Sequence, residues 1–180
     1  MRAFFIRLVL IVLAVLFQVN FLNILFSGEI RIDILSLVVL SWVIVASFEE
    51  IWLWIVALGV LSDLILFDKV GVNVIFFISI AYAISFFSRR FLIERKLEGI
   101  LVVVLFVTFS FVFLDLGRMF VSENLSFIDT YIRFKEAYSS WKVILIQNIL
   151  NILFFYVVYF FINKIEKNIE RYKNKVNIIS

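Results

Sequence analysis

Residues 51–91 read "IWLWIVALGVLSDLILFDKVGVNVIFFISIAYAISFFSRRF": two apolar runs, 51–67 and 72–88, divided by one short turn and closed by Arg89 and Arg90. Each run approaches the roughly 20 residues a helix needs to cross about 30 Å of hydrocarbon. Peptide groups in lipid must be hydrogen-bonded within their own segment, so such runs predict transmembrane helices.

The same pattern continues on both sides, at 4–26, 34–48, 100–121 and 143–162. Of the 180 residues 64% are apolar and the mean hydropathy is +1.12, beyond what a water-soluble core absorbs. The sequence therefore predicts an all-α integral membrane protein with about six transmembrane helices in one bundle over residues 1–163; five spans is the alternative. The second and third runs are short, and "SFEEI" between them predicts a tight helical hairpin. With no proline anywhere, each span is expected to be continuous. The start, "MRAFFIRLVLIVLAVLFQVNFLNILF", has the basic residues of a signal peptide, but its run is too long and lacks a small-residue cleavage site, so it reads as a retained first span.

Arginine and lysine set the orientation, since the cytoplasmic side keeps their excess. Arg2, Arg7, Arg89, Arg90, Arg95, Lys96, Lys164, Lys167, Arg171, Lys173 and Lys175 fall on one side, against Arg31, Lys69, Arg133, Lys135 and Lys142 on the other. Both termini are expected in the cytoplasm. Trp52, Trp54 and Trp141 suit membrane interfaces, whereas Trp42 falls mid-span with no such explanation. Beyond the last span, residues 164–180 read as a basic amphipathic cytoplasmic tail, with Ile162, Ile165, Ile169, Tyr172 and Val176 at the spacing of one helical face. Such a helix lies on the inner membrane surface or docks a cytoplasmic partner.

The chain contains neither Cys nor His, which removes thiol and imidazole catalysis, disulfides and ordinary zinc sites. Its net charge of +3 suits anionic membrane lipids, and no basic stripe points to nucleic acid. No cofactor or metal is expected.

Charges inside spans cost roughly 2.5 to 3.5 kcal/mol each at a helix centre, so they mark the residues that matter. They are Asp63, Asp115 and Arg118. Asp115 and Arg118 are three apart and share a helix face, and Arg118 has donors to spare for Asp63 if the two helices touch. Asn20, Asn23, Asp33, Asn73, Gln147, Asn148 and Asn151 fall toward the same, outer half of the bundle. Together these ten residues predict a buried polar cluster, which either locks the helices by hydrogen bonds or forms a partner- or ligand-binding surface. Gly59 with Asp63, and Ala81 with Ser85, provide small residues at four-residue spacing for close helix approach.

The stretch 32–90 resembles the MreD family of rod shape-determining membrane proteins. It carries "RIDILSLVVL", then a Gly-bearing helix ending in an acid (Gly59, Asp63), a turn with Gly71 and Asn73, and a hydrophobic helix closing on Arg89 and Arg90. The last span, "ILIQNILNILFFYVVYFF", is also like that family. Ile32 stands before Asp33 where family members often have Pro, and Gly is sparser in the third helix. The resemblance implies a non-enzymatic scaffold in the bacterial cytoplasmic membrane that binds MreC and helps couple MreB to peptidoglycan synthesis by RodA and its transpeptidase partner. It also implies a fold similar to the substrate-binding subunits of energy-coupling-factor transporters. The rival reading is such a subunit, holding a vitamin or metal in the outer cavity, although no Ala-rich docking motif is evident in the first helix. Catalysis is the third class: Asp63 and Asp115 as a carboxylate dyad. Against it, Val60, Leu61 and Ser62 precede Asp63 where intramembrane aspartyl proteases carry Gly-x-Gly, and "VFLDLGRM" lacks the Asn- and Gly-rich motifs of lipoprotein signal peptidase.

Overall fold

The computed structural model describes residues 2–22, 32–66, 71–91, 127–137 and 141–179, together with Thr108, Val112 and Leu116, which are helical. Among the described residues every regular element is a helix: α1 (Arg2–Phe17), which passes into a π-helical turn (Gln18–Leu22), then α2 (Ile34–Val45), α3 (Phe48–Leu66), α4 (Val72–Phe91), α5 (Phe127–Ala137) and α6 (Trp141–Ile179). Among the described residues, two stretches are long and apolar enough to cross a membrane, Ala3–Asn20 and Leu145–Tyr172. Ile34–Val45 and Val72–Phe86 are shorter apolar helices. Apart from its three described residues, the run expected at 100–121 lies outside the described residues, as do Asn23, Asp115 and Arg118.

α2 is the centre of the bundle. Every residue from Ile34 to Val43 is buried, as suits a helix that is apolar on all sides. α6 and α4 pack against it most, with lighter contacts from α3 and α1. Its 12 residues rise only about 18 Å. The helix ends at Val45, short of the expected boundary at 48, because Ala46 turns to extended backbone and donates its N–H to Trp42 O at 2.8 Å. α3 then begins at Phe48 and takes Glu49 and Glu50 into its first turn, where carboxylates suit the positive end of the helix dipole.

The expected hairpin of the second and third runs is not the pairing that forms. α3 packs chiefly on α4 and α1, and little on α2. Gly59 explains the preference: a Cβ built there would lie 2.7 Å from Val74 Cα and 2.9 Å from Val74 N, so the two backbones touch. Gly59→Ala is therefore expected to force α3 and α4 apart at a cost of about 1 to 3 kcal/mol. It should lower the thermal midpoint of the detergent-solubilised protein; an unchanged midpoint would show that the contact yields freely.

Outward faces are apolar. On α1, Arg7, Ile11 and Val15 face inward at four-residue spacing, while Phe4, Phe5 and Leu13 are more than half exposed. Ile75 on α4 and Phe160 and Phe161 on α6 are likewise exposed. Continuous apolar surface of this kind belongs against lipid or another apolar partner.

α6 departs from expectation at its far end. The last span and the polar tail form one uninterrupted helix of 39 residues, about 58 Å long against about 30 Å of hydrocarbon. Ile162, Glu166 and Ile169 are buried on one face of it, so the tail's first turns pack on the bundle rather than form a separate surface helix. α5 was not expected at all; it is a short helix of mixed polarity in the connection before α6.

Candidate functional site

Two polar constellations tie the bundle, one at each end. At the first, α3 reaches its last turn with Asp63 wholly buried, and the chain returns into α4 through Gly71. The first amides of a helix have no partner within it and need an acceptor. Asp63 supplies it from the preceding helix: Oδ2 accepts from Gly71 N at 2.6 Å, and Oδ1 from Asn73 N at 3.0 Å and Asn73 Nδ2 at 2.7 Å. Gly71 sits at φ +100, where residues with a side chain are strained, so its identity follows from the turn. Ser62 beside it donates to Gly59 O at 2.8 Å. Both carboxylate oxygens are thus occupied by donors of the turn.

Gln18 acts at the same end. In the π-helical turn that closes α1, it bridges to the start of α2, donating Nε2 to Ile32 O at 3.1 Å and accepting from Ile34 N at 2.8 Å. Asp33 caps α2 by accepting from Ser36 N at 3.2 Å through Oδ1. The π-helical turn replaces the continuous α-helix expected from the lack of proline, and it occurs where Gln18 engages its neighbour.

Of the ten residues expected in one cluster, the structure joins Asp63 to Asn73 and places Asp33 at the cap of α2. Gln147 and Asn151 are buried on α6 and Asn148 is half-buried, whereas Asn20, within the π-helical turn, is exposed. Among the described residues, Asn151 Oδ1 and Nδ2 and the hydroxyls of Ser36 and Ser41 are buried and meet no hydrogen-bond partner. Asp63 has its turn as partner; the pairing with Asp115 and Arg118 falls outside the described residues.

The opposite end holds a constellation that the sequence did not disclose. Arg7 of α1 and Glu166 of α6 form a bidentate pair, Nε to Oε1 at 3.0 Å and Nη2 to Oε2 at 2.7 Å. Trp42 of α2 donates its indole N–H to Glu166 Oε1 at 2.7 Å, and the exposed Glu50 carboxylate lies 4.0 Å from Arg7. Three helices meet at one carboxylate, and Arg7, Trp42 and Glu166 are all buried. In the sequence Arg7 bears only on orientation, and Glu166 falls within a polar tail. The available signals were an acid on the apolar stripe of Ile162 and Ile169, and a mid-span indole that needed an acceptor.

What these groups do chemically is hold helices at fixed separations. Among the described residues no three metal-ligating side chains converge. The sequence model of one family, rod shape-determining protein MreD, matches residues 1–165. No curated protein and no solved structure matches the chain.

Proposed function

The chain belongs to the MreD family of rod shape-determining membrane proteins, and on that premise we propose that it is a non-enzymatic scaffold of the cell-elongation machinery. Its direct partner in this reading is MreC, through which it helps connect MreB with peptidoglycan synthesis by RodA and its transpeptidase partner. The family match over residues 1–165 carries the proposal, since it takes in the Asp63 turn, Arg7, Trp42 and most of α6, ending one residue before Glu166.

The geometry supports a scaffold rather than a catalyst or carrier. Asp63 is committed to Gly71 and Asn73, and Glu166 to Arg7 and Trp42, so these two buried carboxylates spend their acceptors inside the bundle. Such satisfied networks favour one arrangement of helices. In this reading the chain crosses the cytoplasmic membrane six times in a bundle similar to the substrate-binding subunits of energy-coupling-factor transporters. α2 crosses inside protein rather than lipid, which suits its short length. Both termini face the cytoplasm, the Arg7 and Glu166 end is inner, and the Asp63 turn is outer.

Co-expression with the MreC protein of the same genome, followed by gentle affinity purification, is expected to yield a stable complex. Recovery of transporter ATPase subunits in place of MreC would contradict the proposal. Single cysteines at Ser126→Cys and Ser180→Cys separate the topology from the partner: in intact cells only the first is expected to label, and external labelling of the second would reverse the orientation.

A further inference from the structure

Between α1 and α6, with α2 as its floor, runs an open apolar groove of about 810 Å³. Val9 and Leu13 form one wall, Val157 and Phe161 the other, and Ile34 and Val38 the base. Its lining residues extend from position 5 to position 17 on α1 and from 154 to 165 on α6. At 1.5 Å per residue, both walls are about 16 to 18 Å long. That is close to one leaflet of a hydrocarbon layer about 30 Å thick, and well short of the roughly 20 residues over which a transmembrane partner helix would seek contact.

The groove's face on α6 becomes polar past Ile165. Lys164, Asn168, Arg171 and Tyr172 recur at the three- and four-residue spacing of one helical strip, and all four are exposed. Glu166 is neutralised by Arg7, and Glu170, two residues from both Asn168 and Tyr172, points to another side of the helix. The mouth is therefore cationic with hydrogen-bonding groups, at the end of a greasy channel one leaflet deep. We infer that the groove binds an anionic phospholipid, an acyl chain lying between α1 and α6 and its phosphate held at Lys164 and Arg171.

The site rests on this groove and strip and not on the identity of the protein partner. To test it, the full-length protein is reconstituted in phosphatidylcholine vesicles containing a minor fraction of phosphatidylglycerol with a photoactivatable acyl chain, and cross-links are mapped by mass spectrometry. Labelling is expected to concentrate at Val9, Leu13, Val157 and Phe161, to saturate, and to be displaced by unlabelled phosphatidylglycerol but not by phosphatidylcholine. Each basic side chain near a membrane surface is worth roughly a fivefold preference for anionic lipid. Lys164→Gln with Arg171→Gln should thus weaken labelling roughly 25-fold, and both residues are exposed, so the fold is not at stake. Leu13→Trp, which fills the groove, should reduce labelling whatever the head group. Equal labelling of exposed Leu53 and Ile75 with no head-group preference would reduce the groove to ordinary boundary lipid and overturn the inference. Cross-linking of the groove to a partner protein in native membranes, with lipid excluded, would overturn it as well.

Discussion

Glu166→Leu is expected to destabilise the bundle by about 3 to 5 kcal/mol, the largest effect of any single substitution considered, because it leaves Arg7 buried without its partner. The same change removes the acceptor of the Trp42 indole, so α1 and α2 both lose their tie to α6. Thermal unfolding in detergent reads the loss directly. A second variant separates lost pairing from lost packing: Arg7→Leu combined with Glu166→Leu has no uncompensated charge and should recover most of the stability, since a buried pair replaced by apolar residues is often neutral. A single variant as stable as the wild type, or a double variant worse than both single ones, would show that the pair is not what joins these helices.

Asp63→Leu comes next in size. It strips the acceptor from the Gly71 and Asn73 amides and from the Asn73 side chain together, each buried unsatisfied donor costing about 1 to 3 kcal/mol and the three being coupled. Amide hydrogen exchange at Gly71 and Asn73 should accelerate strongly while that of α2 changes little, because the damage begins in one turn. Asp63→Asn keeps an acceptor oxygen and should lose only part of the protection. Exchange at Gly71 and Asn73 unaltered in Asp63→Leu would mean that another group caps α4.

The helical membrane character was legible in the sequence because it depends on long apolar runs, and these need no knowledge of neighbours. Gly59, Asp63, Gly71 and Asn73 form a group in the sequence, but the sequence offers Arg118, outside the described residues, as a partner for Asp63 and does not point to the Gly71 and Asn73 amides. Spacing along one helix shows which residues share its face; it does not show that a carboxylate will cap the helix that follows. The Arg7 and Glu166 constellation was hidden for a related reason. Arg7 and Glu166 are 159 residues apart, and their pairing depends on α1 and α6 lying side by side, which no local pattern encodes. The boundaries of α2 and α3 moved for a local reason instead: Glu49 and Glu50 look like a polar loop between apolar runs, yet acids are favoured in the first turn of a helix. Likewise the polar tail reads as separate by composition, while its apolar stripe through Ile162, Glu166 and Ile169 continues the buried face of α6.

The central claim is that this member of the MreD family acts by holding other proteins together, and purification from its native membranes tests it most directly. The tagged protein is isolated in mild detergent, and co-purifying proteins and small molecules are identified by mass spectrometry. MreC and further elongation proteins are the expected recovery, with the yield of partner falling in Asp63→Leu and Glu166→Leu. A bound vitamin or metal together with transporter ATPase subunits, and no elongation protein, would contradict the scaffold and assign the bundle to solute uptake.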